Sequence, residues 1–509
     1  MDIHHPAHKR RILSLAAALL IFGLGCLCMP AGLIATPTPT PAPPEPPTRT
    51  VVPPVIPTPT FSPLPPLPFP PTRTPDSGLN AQGPWLLIET SQGLWAVNPD
   101  GSGLARLAST DFWRGNLEAA VQPRGDLIAA ISPGDFSFKH LTLNLVSPAN
   151  RKANDKGKQI PLTSPQTEAY TNSGPGDPGF EALRAIGEMQ SYAWSPDGSR
   201  IAFVGAMDGP SADMYIYDLA ADQITRVSTD PDQDFWPSWS PDGKHLLYLE
   251  AKGFGTGAGM VMAGVWDFPI DAAEPVLLYR PTGSGDMIAG WLNDTTVLLA
   301  SSIITCGPEK LRLYDVVTRQ ETMLNEGCFT SASATAFRSA VLFSNDSGIY
   351  MLTDEARTPV QVSPEKNAYI SRWGPDDYVF KVTFSDGRVA TFGPGTYDNQ
   401  VSPVTEPTSS PLLFDTQDVA MYGAIWGWTS TNELQPGAWI TGPGVDFGRI
   451  FEGAARFPAW SPHNDLLFFA PLEGGYDLYI TTFDAHYSNL HVVNHLDADI
   501  TGVVWLGEK

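Results

Sequence analysis

The 509-residue chain predicts an all-β fold, a single β-propeller of four-stranded antiparallel blades, on three observations. The first is a repeat: YAWSPDGSRIAFVG, starting at Tyr192, returns as FWPSWSPDGKHLLYLE, placing Trp194 and Trp239 at the same position in successive units. The second is what fits inside that period. An apolar strand ending in Trp194 is followed by strands at 201–204, 214–217 and 223–228, the size and content of one propeller blade. The third is composition: 50 prolines and 46 glycines with 17% charged residues suit many short strands punctuated by turns.

Residues 1–35 read as a signal peptide or N-terminal membrane anchor. Lys9-Arg10-Arg11 precede an uncharged run of 18 residues, Ile12 to Met29, just within the roughly 17–25 that span a bilayer. Basic residues stay on the cytoplasmic side, so the remainder belongs outside, anchored to the outer side of the cytoplasmic membrane. Gly25-Cys26 resembles the end of a lipoprotein signal, which makes Cys26 the lipidation candidate, although Gly23 stands where that pattern has Leu. Residues 36–78 read as a Pro/Thr-rich stalk, with 18 prolines between 36 and 75. Proline fixes φ and donates no hydrogen bond, so such a stretch stays extended and solvated. At about 3.1 Å per residue it reaches roughly 120 Å.

Residues 79–509 are assigned to the propeller. The first unit has strands at 85–89, 94–97 and 105–108 but no leading strand. The missing piece stands at the other end, where Ile500 to Leu506 (ITGVVWL) is a leading strand with nothing after it. Pairing the two closes the ring and removes an open edge. Besides the two opening repeats, leading strands are expected at 119–122, 288–292, 334–337, 370–373, 424–428 and 457–460. That makes nine candidates, against about four to eight blades in most propellers. Residues 400–454 are the least regular and are read as containing an insertion, so eight blades are expected, with seven as the alternative.

The Trp-Ser-Pro-Asp-Gly wording at 194–198 and 239–243 has fragments at Trp373-Gly374-Pro375-Asp376 and Trp460-Ser461-Pro462. It resembles the WD40-like repeat of TolB-type propellers. That resemblance implies an interaction platform in the bacterial envelope, since six-bladed TolB-type domains act in that way. TolB has an N-terminal domain of its own where this chain has the stalk, so TolB's partners do not carry over.

The repeat residues themselves read as architecture. Pro196 presets φ for a turn, Asp197 accepts local N–H bonds, and Gly198 tolerates positive φ. The tryptophans at 194, 239, 291, 373, 460 and 505 recur at one position and are expected to pack between blades. Trp113 and Trp236 fall outside that register and are free to serve a surface. Because strands alternate in direction, the tight first-to-second and third-to-fourth turns share one face. The long loops at 166–189, 205–213, 251–260, 301–309 and 406–420 gather on the other, which is where binding is expected.

On that face Phe180, Leu183 and Ile186 recur at helical spacing and predict a short helix docked on the ring. Asp230, Asp232 and Asp234 alternate as in calcium loops. The sixth and twelfth positions of such a loop, however, are Phe235 and Pro241 rather than Gly and Glu. They are therefore read as a solvated acidic link, and no metal or cofactor is assigned. Trp113, Asp232, Asp234 and Trp236 are the candidate binding residues. Cys306 and Cys328 are a disulfide candidate that would close a roughly 22-residue loop, worth about 3 kcal/mol.

Beyond residue 78 there are 26 basic and 51 acidic residues, a balance that repels phosphate backbones and excludes nucleic-acid binding. No G-x-S-x-G elbow is present, GFGTGAG at 253–259 lacks the strand-then-helix context of a phosphate loop, and no catalytic residue is assigned. His486, His491 and His495 with Asp497 and Asp499 match no metal-ligand spacing. The function expected is a non-enzymatic, membrane-tethered platform binding an envelope or surface protein, or a polysaccharide, through the long-loop face. The alternative is an extracytoplasmic carbohydrate-active enzyme or sugar-binding propeller using the axial pocket, favoured by clustered acids beside Trp113 or Trp236.

Overall fold

Alternating burial along single strands explains how the chain builds its layers. In Trp85–Thr90, Leu86 and Ile88 enter one apolar cluster with Phe457, Leu467 and Phe469, whereas Trp85 and Leu87 enter another with Ile128 and Ala130. A period of two sends successive side chains to opposite faces, and here both faces are covered by other sheets. His245–Gly253 does the same: Leu246 and Tyr248 face one cluster, Leu247 and Leu249 the next. Each of these two sheets is thus sandwiched between its neighbours.

The computed structural model describes Gly78 to Gly507 apart from internal stretches, the longest being 393–417. All of this lies in one compact unit, Pro71–Lys509. Cys26 and the expected anchor and stalk up to residue 77 lie outside the described residues, as do Trp113, Cys306 and Cys328. Among the described residues no helix is long and apolar enough to cross a membrane.

Among the described residues nine antiparallel sheets follow one another, seven of four strands and two of three. They are called blade 1 (85–109 with 500–506), blade 2 (128–161), blade 3 (192–226), blade 4 (233–279), blade 5 (286–326), blade 6 (329–363), blade 7 (369–392), blade 8 (418–451) and blade 9 (456–496). The expected pairing of the C-terminal strand is present: Trp85–Thr90 pairs with Ile500–Leu506, with Leu86 opposite Trp505 and Ile88 opposite Val503, so blade 1 takes strands from both ends of the described domain. Apolar clusters link consecutive blades from blade 8 through 9 and 1 to blade 7. Residues 393–417 fall between blades 7 and 8.

Two expectations are corrected. Residues 418–451 form a full four-stranded sheet, Asp418–Tyr422, Ile425–Ser430, Gly437–Gly442 and Val445–Phe451, so nine sheets stand where eight were expected. The supposed leading strand at 424–428 is the second strand of that blade. Its true leading strand, DVAMY, ends in neither Trp nor an SPDG turn. In blade 2, the expected leading strand at 119–122 is replaced by a helical turn, Leu117–Ala120, and a single bridge from Val121 to Ile128. Pro123 ends the ladder there, and Gln122 turns its side chain to Leu127 N (3.0 Å) and Gly198 O (2.7 Å).

Trp194, Trp239 and Trp291 pack at the seams as expected and each adds a hydrogen bond, whereas Trp505 Nε1 has no hydrogen-bond partner among the described residues and the Trp373 side chain lies outside them. Trp194 Nε1 donates to Ala120 O (2.9 Å), Trp239 Nε1 to Ala193 O (3.0 Å) and Trp291 Nε1 to Ser238 Oγ (3.1 Å). Each acceptor belongs to the preceding blade, so the indole both fills the seam and fixes its register. The turn aspartates are spent locally. Asp242 Oδ1 accepts from Ser240 Oγ (2.7 Å) and Lys244 N (3.1 Å). Against the upward push of partial burial, these bonds and the Lys244 ammonium hold its carboxyl at about 2. Gly198 and Gly243 sit at φ +72° and +70°, where glycine is favoured.

Candidate functional site at the seam of blades 3 and 4

Three of the four candidate binding residues, Asp232, Asp234 and Trp236, come together where blade 3 hands over to blade 4. The link after Gln223–Arg226 runs through Val227 and Asp230 into Gln233–Trp239. An inter-blade link lies on the long-loop face. Two backbone-directed bonds tie the seam: Asp234 N donates to Ala212 O (2.8 Å), and Ala212 N donates to Gln233 Oε1 (2.8 Å).

The helix expected in 166–189 is present as Pro178–Glu188 and lies beside this seam. Leu183 and Ile186 are buried in the core shared by blades 2, 3 and 4, and Phe180 is half-buried. Its face toward the ring is therefore occupied. Trp236 takes φ +62° at a bulge between Phe235 and Ser238. Its N and Nε1 donate to Gln190 O and Oε1, both at 3.1 Å. Phe457, also before a proline, repeats this geometry with φ +52° and a bulge between Arg456 and Ala459. The bulge is thus a recurring device of the leading strand, leaving the Trp236 ring half-buried and the Phe457 ring buried in the core.

The acids form a tighter group than a solvated link. Asp234 lies directly opposite Glu250 in the ladder, so both side chains leave the same face of the sheet. Carboxylate oxygens of Asp230, Asp232 and Glu250 lie within 4.8 Å of one another. Trp266 Nε1 donates to Glu250 Oε2 (2.7 Å), and Gly264, paired with Glu250 from the other side, leaves room for that carboxylate. Lys252 Nζ stands 3.0 Å from Asp232. Next to this group Asp213 is bonded by Arg226 at 2.7 Å, with Asp208 3.6 Å from the same guanidinium.

Burial sets the electrostatics. Asp213 and Asp234 are each 1% exposed and Glu250 4%. Desolvation raises the Asp213 carboxyl to about 7 despite Arg226. It raises Asp234 well above the usual range, with Asp230, Asp213 and Glu250 adding to the push and the Ser228 hydroxyl opposing it. Glu250 is raised by the same cause. Oδ1 of Asp234 and Oδ1 of Asp213 are buried without a hydrogen-bond partner.

Glu250, Asp213 and Asp208 were not among the residues expected from sequence. Laying 233–235 against 249–251 as a hairpin would have paired Asp234 with Glu250. The alternating aspartates at 230, 232 and 234 gave no hint of Asp213, which reaches the seam from the third strand of blade 3. Of the histidines, His245 contacts Asp267 at 3.0 Å and His495 lies between Asp477 (2.7 Å) and Asp497 (2.9 Å). These are ion pairs on separate blades and do not converge.

No family model matches the chain. A 64-residue stretch is 41% identical to the Tol-Pal system protein TolB of Alcanivorax borkumensis, covering 13% of this chain and 15% of that protein. Over that stretch the chain is similar to TolB, and the fold of the described residues is a β-propeller. A 62-residue stretch is 34% identical to an uncharacterized peptidase of Bacillus subtilis, covering 12% of this chain and 9% of that one. The chain therefore spans a small part of the length of either relative. The β-propeller domain of the Trilobed protease from Pyrococcus furiosus is similar at a TM-score of 0.33 and 12% identity, over 75% of this chain and 98% of that one. This propeller has nine sheets among its described residues.

Proposed function

We propose that the protein is an extracytoplasmic binding platform, tethered to the membrane by residues 1–35 and a stalk, that engages an envelope protein through its long-loop face. The observation that carries the reading is the seam of blades 3 and 4. There Trp236 is held half-buried at the surface beside Asp230 and Asp232, on rigid strands and on the face that gathers the irregular links. The TolB-like repeat supports an envelope role. Half-exposed tryptophan ringed by charge is a common anchor composition for protein interfaces.

The sugar-active reading ranks second, and the convergence of three carboxylates is what speaks for it. Two facts speak against it. The working carboxylates of glycosidases stand about 5 Å or more apart with substrate between them, and here Asp234 and Glu250 are closed off from solvent.

The test is capture from envelope extract by the tethered protein, comparing wild type with Thr229→Arg on the exposed link and Lys244→Glu on the tight-turn face. A species retained by wild type and Lys244→Glu but lost with Thr229→Arg supports the platform. Equal capture by all three contradicts it.

A further inference from the structure

The acidic group at the seam is built as a ligand set. Asp230 and Asp232 come from the inter-blade link, and Glu250 from the second strand of blade 4, with their oxygens within 4.8 Å of one another. Trp266 and Gly264 fix and accommodate the Glu250 carboxylate, the kind of outer support that orients a metal-binding group. A single cation, Lys252, reaches Asp232, which leaves the group with excess negative charge.

An independent observation points to a ligand. Asp234 is 1% exposed, and its Oδ1 has no hydrogen-bond partner. The ladder aims it to the side of the sheet that Glu250 occupies. A buried carboxylate oxygen without a partner costs several kcal/mol unless positive charge reaches it. Ser228 bonds its other oxygen, and the carboxylates of Asp230 and Glu250 lie close enough to act on it through space.

We propose that Asp230, Asp232 and Glu250 bind a divalent cation of the calcium type, with the buried Asp234 carboxyl behind them, and that the ion clamps blade 3 to blade 4. Oxygen-only ligands select a hard cation, and carboxylates on a link of irregular shape suit calcium better than magnesium, which demands near-octahedral geometry. This inference does not depend on the platform reading, because the ion holds two blades together whatever binds above them.

The experiment is a calcium titration of the full-length protein after chelator treatment, read by calorimetry and by thermal melting. Wild type is expected to bind about one ion per chain, half-saturating between about 10⁻⁵ and 10⁻³ M, and to melt several degrees higher with calcium. Magnesium at the same concentration is expected to give less than half that shift. The double variant Asp232→Asn, Glu250→Gln is expected to melt at or above wild type in chelator, because repulsion is relieved, and to ignore calcium. That crossing separates an ion site from a merely structural cluster, in which the variant would shift the melt equally with and without calcium. No calcium heat and no melting shift for wild type up to about 10 mM, an order beyond the weakest extracellular sites, overturns the proposal. So does an equal shift with magnesium, or a calcium response surviving in the variant. Asp230→Asn alone provides the same comparison should the double variant fail to fold.

Discussion

Replacing Trp239 by Phe probes the seam between blades 3 and 4 at the indole itself. Trp239 is 7% exposed and donates from Nε1 to Ala193 O at 3.0 Å. Phenylalanine keeps an aromatic ring in the slot but loses that bond, worth about 1 kcal/mol net. Shrinking the buried ring adds roughly 1–2 kcal/mol for lost contacts, a total near 2–3 kcal/mol. Alanine at the same position empties the slot and should cost about 3–5 kcal/mol. The assay is urea unfolding followed by far-UV circular dichroism, which does not depend on the deleted fluorophore. The predicted order is wild type, then Trp239→Phe, then Trp239→Ala, with little change in the slope against denaturant. If both variants unfold within about 0.5 kcal/mol of wild type, the ordinary range for surface substitutions, the indole is not a wedge between blades and the reasoning fails.

Three further outcomes follow from the fold. Leu506 is fully buried beside Trp85 in the closing strand, so Leu506→Ala should cost about 2–5 kcal/mol. Removing residues 500–509 should expose the edge of Trp85–Thr90 and cause aggregation, visible in size-exclusion chromatography; a monomeric, equally stable truncation would deny that the closure matters. His495 is raised above its ordinary value, first by its hydrogen bond to Asp477 and further by Asp497, against the downward push of burial. A raised histidine stabilises the fold below its unfolded pKa of about 6.5, and that contribution fades as pH rises through the folded value. His495→Gln should therefore lower the melting temperature near pH 5.5 and match wild type at alkaline pH; a pH-independent difference would refute the ion-pair account.

The blades were legible where local chemistry repeats. Trp194 and Trp239 with their SPDG turns announce both a strand end and a reversal, and their indoles do pack across seams. The C-terminal strand was legible because ITGVVWL is a leading strand lacking a following one. Blade 8 was hidden because Asp418–Tyr422 carries neither a terminal tryptophan nor the turn, so a shifted register looked like an insertion. Blade 2 misled for the opposite reason, since Ala119 to Gln122 has strand composition yet Pro123 halts the ladder.

The site was half legible. Asp232, Asp234 and Trp236 stood out by spacing and by falling outside the tryptophan register. What turned an acidic link into a buried cluster was cross-strand pairing with Glu250, together with the approach of Asp213 from the neighbouring blade. Burial and a partner from another strand are three-dimensional properties that an alternating Asp pattern does not carry.

If partners bind on the face of the irregular links, only residues on that face come within reach of them. Site-specific photo-crosslinking in cell envelopes tests this most directly, with the probe at exposed Thr229 in the inter-blade link or at exposed Lys244 in the tight turn. The account predicts a discrete crosslinked species from position 229 and none from position 244. The same species from position 244 alone would place the binding face on the opposite side of the propeller and contradict it.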